Sequence, residues 1–196
     1  LATRFARAEV SVNGAWPDQP THVHTLQNPC LTSDELTAGE TAARSKQLAA
    51  PIRLVFAGHL GAAKNPRVAI EALAALRAAG VDARLDLAGG GAELAELRDE
   101  VATRGLAIHV ALHGPVARDR LNELYAAAHF VVLPSRTEGW PKVLAEGMAF
   151  GAVPIATAVG SIPSLLGQFG TGAVHPAPPA AGDVAVPCRA HVPRGR

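Results

Sequence analysis

The feature that most constrains the fold is a regular alternation of short apolar segments and helical patterns that begins at Ile52. The apolar segments have the length of buried strands, and each is followed by a stretch whose apolar residues recur at helical spacing. Such an alternation predicts an α/β fold, a doubly wound parallel sheet with helices on both faces. The predicted strands are Ile52–Ala57, Arg84–Ala88, Ile108–Leu112, His129–Leu133 and Val153–Thr157, and the predicted helices are 66–79, Glu93–Arg104, Arg118–Ala128, Pro141–Phe150 and Ser161–Leu166.

Glycines and polar residues follow the predicted strands, at the sheet edge where such folds bind ligands. Gly58 and Gly61 follow the first strand and let the backbone approach a ligand closely. Lys64 places a compact cation beside a helix N-terminus, which suits a diphosphate. Three glycines at 89–91 turn the chain after the second strand, but they lack the full G-x-G-x-x-G pattern, so packing alone explains them equally well.

The loop after the fourth strand carries the most informative side chains. Glu138 lies in the loop that opens the helix beginning at Pro141, and Glu146 lies about one and a half turns into that helix. A helix N-terminus offers unpaired N–H groups to a phosphate. Each carboxylate can accept hydrogen bonds from two hydroxyls. Phosphate-binding amides between two hydroxyl-binding carboxylates suit a nucleotide-sugar.

Composition excludes several classes of function. The chain of 196 residues has the length of about one domain, and its formal net charge of +1 points to neither nucleic acid nor an anionic membrane. Cys30 and Cys188 lack metal-ligand spacing, are expected to be reduced thiols, and are consistent with a cytoplasmic protein. Neither a D-x-D motif at a strand end nor a His/Cys cluster is present, so we expect no cofactor and no obligatory metal.

The chain resembles the retaining glycosyltransferases of family 4, whose mark is an E-x7-E motif in the C-terminal domain of a GT-B fold. Glu138 and Glu146 have that spacing. Four further segments agree with the family in order and spacing, so the resemblance covers roughly residues 50–170 and implies the Rossmann-like, donor-binding half of the enzyme. These segments are 52–71 (IRLVFAGHLGAAKNPRVAIE), 85–91 (LDLAGGG), 110–114 (VALHG) and 124–133 (LYAAAHFVVL).

The resemblance also implies roles for individual residues. Lys64 would grip the donor diphosphate, with Gly58 and Gly61 beside it. Glu138 would bind hydroxyls of the transferred sugar, and Glu146 would bind the ribose. The family has an arginine where this chain has His59, which is shorter and can be neutral at pH 7. The backbone of Gly139, Trp140, Pro141 and Lys142 would face the sugar and phosphates, and the loop at His113 and Gly114 would lie near the base.

The domain organisation expected from this resemblance has three parts. Residues 1–50 would be an interdomain lead-in, 51–174 the nucleotide-sugar-binding domain, and 175–196 an irregular, proline-rich tail. Because the chain starts at Leu1 rather than Met, we interpret it as a fragment that lacks an N-terminal acceptor domain. The expected partner is a nucleotide-sugar, and the resemblance is compatible with an acceptor at a membrane surface.

Two other hypotheses remain open from the sequence. The chain could be an inactive remnant of a truncated or frameshifted glycosyltransferase that keeps donor binding, and His59 and the abnormal tail favour that reading. It could also be a general nucleotide-binding or signalling α/β domain, which would need no paired Glu138 and Glu146. An assay of turnover distinguishes the inactive remnant from the active enzyme. Donor binding distinguishes both of these from a general nucleotide-binding or signalling domain.

Overall fold

A computed structural model describes residues 10–13, 18–26, 30–170 and 172–175. The chain divides into two compact units, Leu1–Cys30 and Leu31–Arg196. In the first unit, strands β1 (Val10–Asn13) and β2 (Val23–Leu26) pair in parallel. The predicted irregular tail lies outside the described residues from position 176 onward.

The second unit is built on a six-stranded sheet in which all paired strands are parallel. The strand order is β5-β4-β3-β6-β7-β8, so the order reverses between β3 and β6. Counted from β3, this is the 3-2-1-4-5-6 order of doubly wound nucleotide-binding sheets, as the alternating sequence pattern predicts. The strands are β3 (Ile52–Ala57), β4 (Ala83–Ala88), β5 (Val110–Gly114), β6 (Phe130–Leu133), β7 (Val153–Thr157) and β8 (Ala173–His175).

Among the described residues, six helices accompany this sheet, and together with it they form two buried clusters. Side chains of α2 and α3 pack on one face, where Leu54 and Leu85 point. Side chains of α4, α5 and α6 pack on the other face, where Val55 and Val131 point. Both faces of the strands are therefore apolar, which is why the strands appear as nearly continuous apolar runs. The helices are α1 (Ser33–Ser45), α2 (Pro66–Ala78), α3 (Leu94–Thr103), α4 (Arg118–Ala127), α5 (Lys142–Ala149) and α6 (Ile162–Phe169).

The third predicted strand begins two residues too early. Ile108 is 80% exposed and belongs to a turn in which His109 and Val110 both donate their N–H groups to the Leu106 carbonyl. Pairing starts only at Val110, so β5 covers Val110–Gly114. In the sequence, the β-branched Ile108 belongs to the same apolar run as β5. Only the hydrogen bonds of the turn show that it lies outside the strand.

The region before residue 51 contains more regular structure than the sequence pattern suggests. Helix α1 begins after Thr32, whose hydroxyl accepts from the Glu35 N–H while the Glu35 carboxylate accepts from the Thr32 N–H. This capping box satisfies two backbone donors that a helix start would leave unpaired. Gly39 does not break the helix. It faces α5, and a Cβ at this position would lie 2.7 Å from the Ala149 carbonyl oxygen.

Candidate functional site

The candidate site lies at the carboxyl edge of the sheet, where the strand order reverses between β3 and β6. Ligands of doubly wound sheets bind in the crevice at this switch point. The loop that follows β3 and the loop that follows β6 meet there, and the Arg136 N–H donates to the Ala63 carbonyl across the boundary, with N and O 2.8 Å apart. Two loops far apart in sequence are thus joined where the sequence patterns predict a ligand.

Lys64 and Glu138 form the polar centre of this junction. The Lys64 Nζ lies 2.5 Å from the Glu138 Oε1, and the Ser135 hydroxyl donates to the same oxygen at 2.6 Å. The Glu138 side chain is only 4% exposed, whereas that of Lys64 is 30% exposed. A carboxylate this buried needs a charged partner. Lys64 supplies that partner, and its own side chain remains partly exposed.

Glycines allow the neighbouring turns to come into backbone contact. Gly89 has φ of +146°, and a Cβ there would lie 1.8 Å from the Gly58 carbonyl oxygen. On either side of this contact, the Gly58 N–H donates to the Ala88 carbonyl and the Leu60 N–H donates to the Gly90 carbonyl. The glycines at 89–91 therefore have a packing role that any phosphate contact would add to.

The loop before α5 is fixed by the loop after β7. A Cβ on Gly160 would lie 1.8 Å from the Glu138 carbonyl oxygen, and the Ser161 hydroxyl donates to the Gly139 carbonyl at 2.6 Å. Pro141 precedes the first helical residue rather than being that residue, and it has no N–H to offer. The Lys142 N–H donates to the Trp140 carbonyl, and the Lys142 side chain is exposed. Of the backbone at 139–142 that is expected to face the sugar and phosphates, the N–H groups of Gly139 and Trp140 thus remain as donors.

A pocket of about 430 Å³ opens beside the switch point. Its volume falls within the range of small-molecule sites. The exposed His59 lines it. His113 is not among the lining residues, and its Nε2 lies 2.7 Å from the Asp86 Oδ1. The Gly114 carbonyl accepts the Gly89 N–H. The pocket is lined by Ala57, Gly58, His59, Ala88, Gly89, Gly90, Pro115, Val116, Leu121 and Val143.

The second carboxylate of the motif is bound to side chains of α4. The Tyr125 hydroxyl donates to the Glu146 Oε2 at 2.9 Å, and the Arg118 Nη1 lies 2.9 Å from the Glu146 Oε1. Arg118 also reaches Glu35 on α1, with Nε 2.5 Å from Oε1. Glu146 is 6% exposed and Tyr125 is fully buried. Sequence reasoning missed Arg118, Tyr125 and Ser135, although Ser135 adjoins the motif and the others occupy one face of a predicted helix.

The contacts around Glu35 make the docking of α1 dependent on pH. Hydrogen bonds from Arg118, then Asn122 and the Thr32 N–H, lower the pKa of Glu35 from 4.5 to about 2. The pKa of Glu35 is lower in the folded chain than in the unfolded chain. The ionised Glu35 carboxylate therefore stabilises the folded state fully above about pH 4.5, and this stabilisation is lost as the pH falls through 2. We expect the difference in melting temperature between the native chain and Glu35→Gln to shrink on acidification through this range. Glu40→Gln, which alters an exposed pair on the same helix, should show little of this behaviour, and a pH-independent Glu35→Gln difference would contradict the prediction.

Other kinds of site were sought across the described residues. No group of three His, Cys, Asp or Glu side chains that could hold a metal ion occurs in this part of the chain. Within the same residues, no helix has both the length and the apolar character needed to cross a bilayer.

The strand order and the crevice at the switch point are those of a doubly wound ligand-binding α/β domain. The family described as glycosyl transferases group 1 matches residues 40–185, and the chain belongs to that family. A D-inositol 3-phosphate glycosyltransferase of Mycobacteroides abscessus is 33% identical over 175 residues, covering 85% of this chain and 38% of the relative. The alpha-D-kanosaminyltransferase of Streptomyces kanamyceticus is 29% identical, covering 90% of this chain and 46% of the relative. The chain spans less than half the length of these curated relatives.

Solved structures share the fold. Anabaena HepE in complex with UDP and glucose superposes with a TM-score of 0.64 at 19% identity, over 82% of this chain and 43% of that one. The C-terminal domain of LpcC, a group 1 family glycosyl transferase of Francisella tularensis, superposes with a TM-score of 0.63 at 22% identity, over 77% and 80% of the two chains. The second comparison aligns this chain with most of a single domain. The fold is therefore that of a GT-B glycosyltransferase domain.

Proposed function

We propose that this chain binds a nucleotide-sugar and supplies the donor half of a retaining glycosyltransferase of family 4. The observation that carries the proposal is the Lys64–Glu138 pair at the switch point, with Nζ and Oε1 2.5 Å apart. The pair places a cation for a diphosphate beside a carboxylate for sugar hydroxyls. The pocket next to it has room for the nucleoside, and HepE holds UDP on the same fold.

The chemistry that this arrangement supports is stabilisation of a leaving group. In glycosyl transfer, the bond between the sugar and the diphosphate breaks, and negative charge develops on the departing phosphate oxygen. Lys64 and the backbone N–H groups of Gly139 and Trp140 would stabilise that charge from positions already fixed by the fold. We infer that donor binding requires no metal ion, because these groups supply the positive potential that a diphosphate needs. Binding measured with and without a chelator tests this inference.

The acceptor would come from outside the described residues. Because the curated relatives are more than twice as long as the aligned region, we propose that a second α/β domain binds the acceptor in the full enzyme. Closing a cleft between two domains would position the acceptor hydroxyl and exclude water.

Mutants of the two carboxylates test the proposed roles. Glu138→Ala should leave the affinity for the free nucleoside diphosphate nearly unchanged and weaken that for the nucleotide-sugar, because Glu138 would contact only the sugar. Glu146→Ala should weaken both, because Glu146 would contact the ribose. Calorimetry with UDP, GDP and ADP and with their sugar conjugates measures both effects. Identical behaviour of the two mutants would show that the roles assigned to the carboxylates are wrong. If the native chain bound none of these nucleotides, the proposed function itself would be contradicted.

A further inference from the structure

Arg118 connects two carboxylates that lie far apart in the chain. Its Nη1 lies 2.9 Å from the Glu146 Oε1, and its Nε lies 2.5 Å from the Glu35 Oε1. The guanidinium therefore links α1 to α5 through the first residue of α4. A planar guanidinium presents its N–H donors to two carboxylates in a rigid geometry, whereas the three donors of an ammonium group rotate on a flexible stem.

Glu146 depends on this contact because it is nearly buried. Glu146 is 6% exposed, and burying a charge is costly unless it is paired and hydrogen-bonded. Arg118 occupies one oxygen and the Tyr125 hydroxyl occupies the other. A carboxylate has about four acceptor positions, so one on each oxygen remains. Two free positions on neighbouring oxygens match two neighbouring hydroxyls.

The position of this cluster beside the pocket follows from helical spacing. Leu121 of α4 and Val143 of α5 both line the pocket. Arg118 lies three residues before Leu121, and Glu146 lies three residues after Val143, so each shares a helix face with a lining residue. Neither Arg118 nor Glu146 is among the residues that line the pocket, and each lies about one helical turn from one that does.

Arg118 is itself held in place by α1. The Glu35 Oε1 that contacts Arg118 also accepts from the Asn122 amide at 2.9 Å, and the Glu35 Oε2 accepts from the Thr32 N–H at 2.7 Å. Burial would lower the pKa of Arg118, but its hydrogen bonds to Glu35 and Glu146 and the charges of both carboxylates outweigh burial and raise that pKa. The guanidinium is therefore a fixed cation between two anions.

We propose that Arg118 is a positioning residue that orients Glu146 toward the nucleotide ribose, and that Glu35 on α1 fixes Arg118 for this purpose. The inference rests on the proposed function, since it assigns Glu146 to the ribose of a bound nucleotide. It adds that discrimination between ribose and 2′-deoxyribose depends on a guanidinium that contacts no ligand. Helix α1 thereby becomes part of the apparatus for donor selection.

The test compares each nucleoside diphosphate with its 2′-deoxy analogue by calorimetry. Among UDP, GDP and ADP, the tightest binder is taken forward, and the native chain should prefer it over its deoxy form by about ten-fold, the effect of one good hydrogen bond. Arg118→Gln should abolish the preference by weakening the ribonucleotide alone. Arg118→Lys should restore part of it, and Glu35→Gln should give an intermediate value. Arg120→Gln, which removes an exposed pair with Glu123 on the same helix, should keep the native preference.

The outcomes separate this inference from the proposed function. A ribose preference that survives in Arg118→Gln overturns the positioning role, and so does an equal loss of affinity for both analogues, which a merely structural role would produce. A native chain that binds the diphosphate but does not distinguish the deoxy form also overturns it, while donor binding stands. Failure of the native chain to bind any of the three diphosphates removes both proposals. Melting temperatures recorded for every variant identify those that are folded.

Discussion

Replacing Gly89 with alanine should disrupt the carboxyl edge of the sheet and abolish donor binding. The added Cβ would lie 1.8 Å from the Gly58 carbonyl oxygen, and the φ of +146° is one that residues with side chains rarely adopt. Neither turn can move aside easily, because the Gly89 N–H donates to the Gly114 carbonyl and the Gly58 N–H donates to the Ala88 carbonyl. Backbone strain alone costs about 1–3 kcal/mol, and the overlap adds to it, so we expect about 3 kcal/mol or more in the free energy of unfolding.

Gly105→Ala is the matched control for this substitution. Gly105 also has positive φ, at +67°, but a Cβ there would meet nothing within 4 Å. Its cost should be limited to the left-handed conformation, about 1–2 kcal/mol, and nucleotide affinity should not change. Urea unfolding and calorimetry with UDP, GDP and ADP measure the two effects. If Gly89→Ala were as stable as Gly105→Ala, the close approach of the two turns would not be a constraint on this fold.

Replacing Lys64 with alanine should weaken nucleoside diphosphate binding by about 1.5–3 kcal/mol, or roughly ten- to a hundred-fold. The proposed contact with the diphosphate is lost, and Glu138 keeps only the Ser135 hydroxyl as a hydrogen-bond partner among the described contacts. With a side chain 4% exposed, Glu138 would then be a buried carboxylate without a cation, so stability should also fall. Calorimetry and urea unfolding separate the two losses.

Arg98→Ala provides a control of equal charge. Arg98 is an exposed residue of α3, and its removal changes the net charge by the same amount as the loss of Lys64. If both variants weakened nucleotide binding equally, the effect would come from overall charge rather than from the site. Unchanged affinity in Lys64→Ala would exclude Lys64 from diphosphate binding.

Local pattern predicted most of the α/β framework because hydrophobic periodicity is a property of neighbouring residues. The strands Ile52–Ala57 and Val153–Thr157 have the bounds that the apolar runs predict, and α2 begins at Pro66 as expected. The prediction was less accurate where a turn and a strand share one apolar run, as at Ile108. It missed β8, because three residues paired to β7 carry too little pattern to be distinguished from a loop.

The candidate site likewise has features that local sequence predicts and features that depend on tertiary structure. The sequence predicts that Lys64 and Glu138 lie at one edge of the sheet, since each follows a strand and the carboxyl ends of parallel strands share an edge. Their direct contact, and the roles that His59, His113 and the 139–142 backbone can take, depend on how the loops lie in space. His113 bonds to Asp86, and Pro141 offers no N–H, which no motif position reveals.

The class of fold, the edge of the sheet that carries the candidate site and the family resemblance all follow from the amino-acid sequence, because they depend on periodicity and on motifs within short segments. The contacts of Glu146 with Arg118 and Tyr125, and of Arg118 with Glu35, 83 residues away in the chain, are visible only in the folded domain. Contacts at such separations depend on the order of strands in the sheet and on which helix faces cross. Those are set by the packing of the whole domain, and no local pattern encodes them.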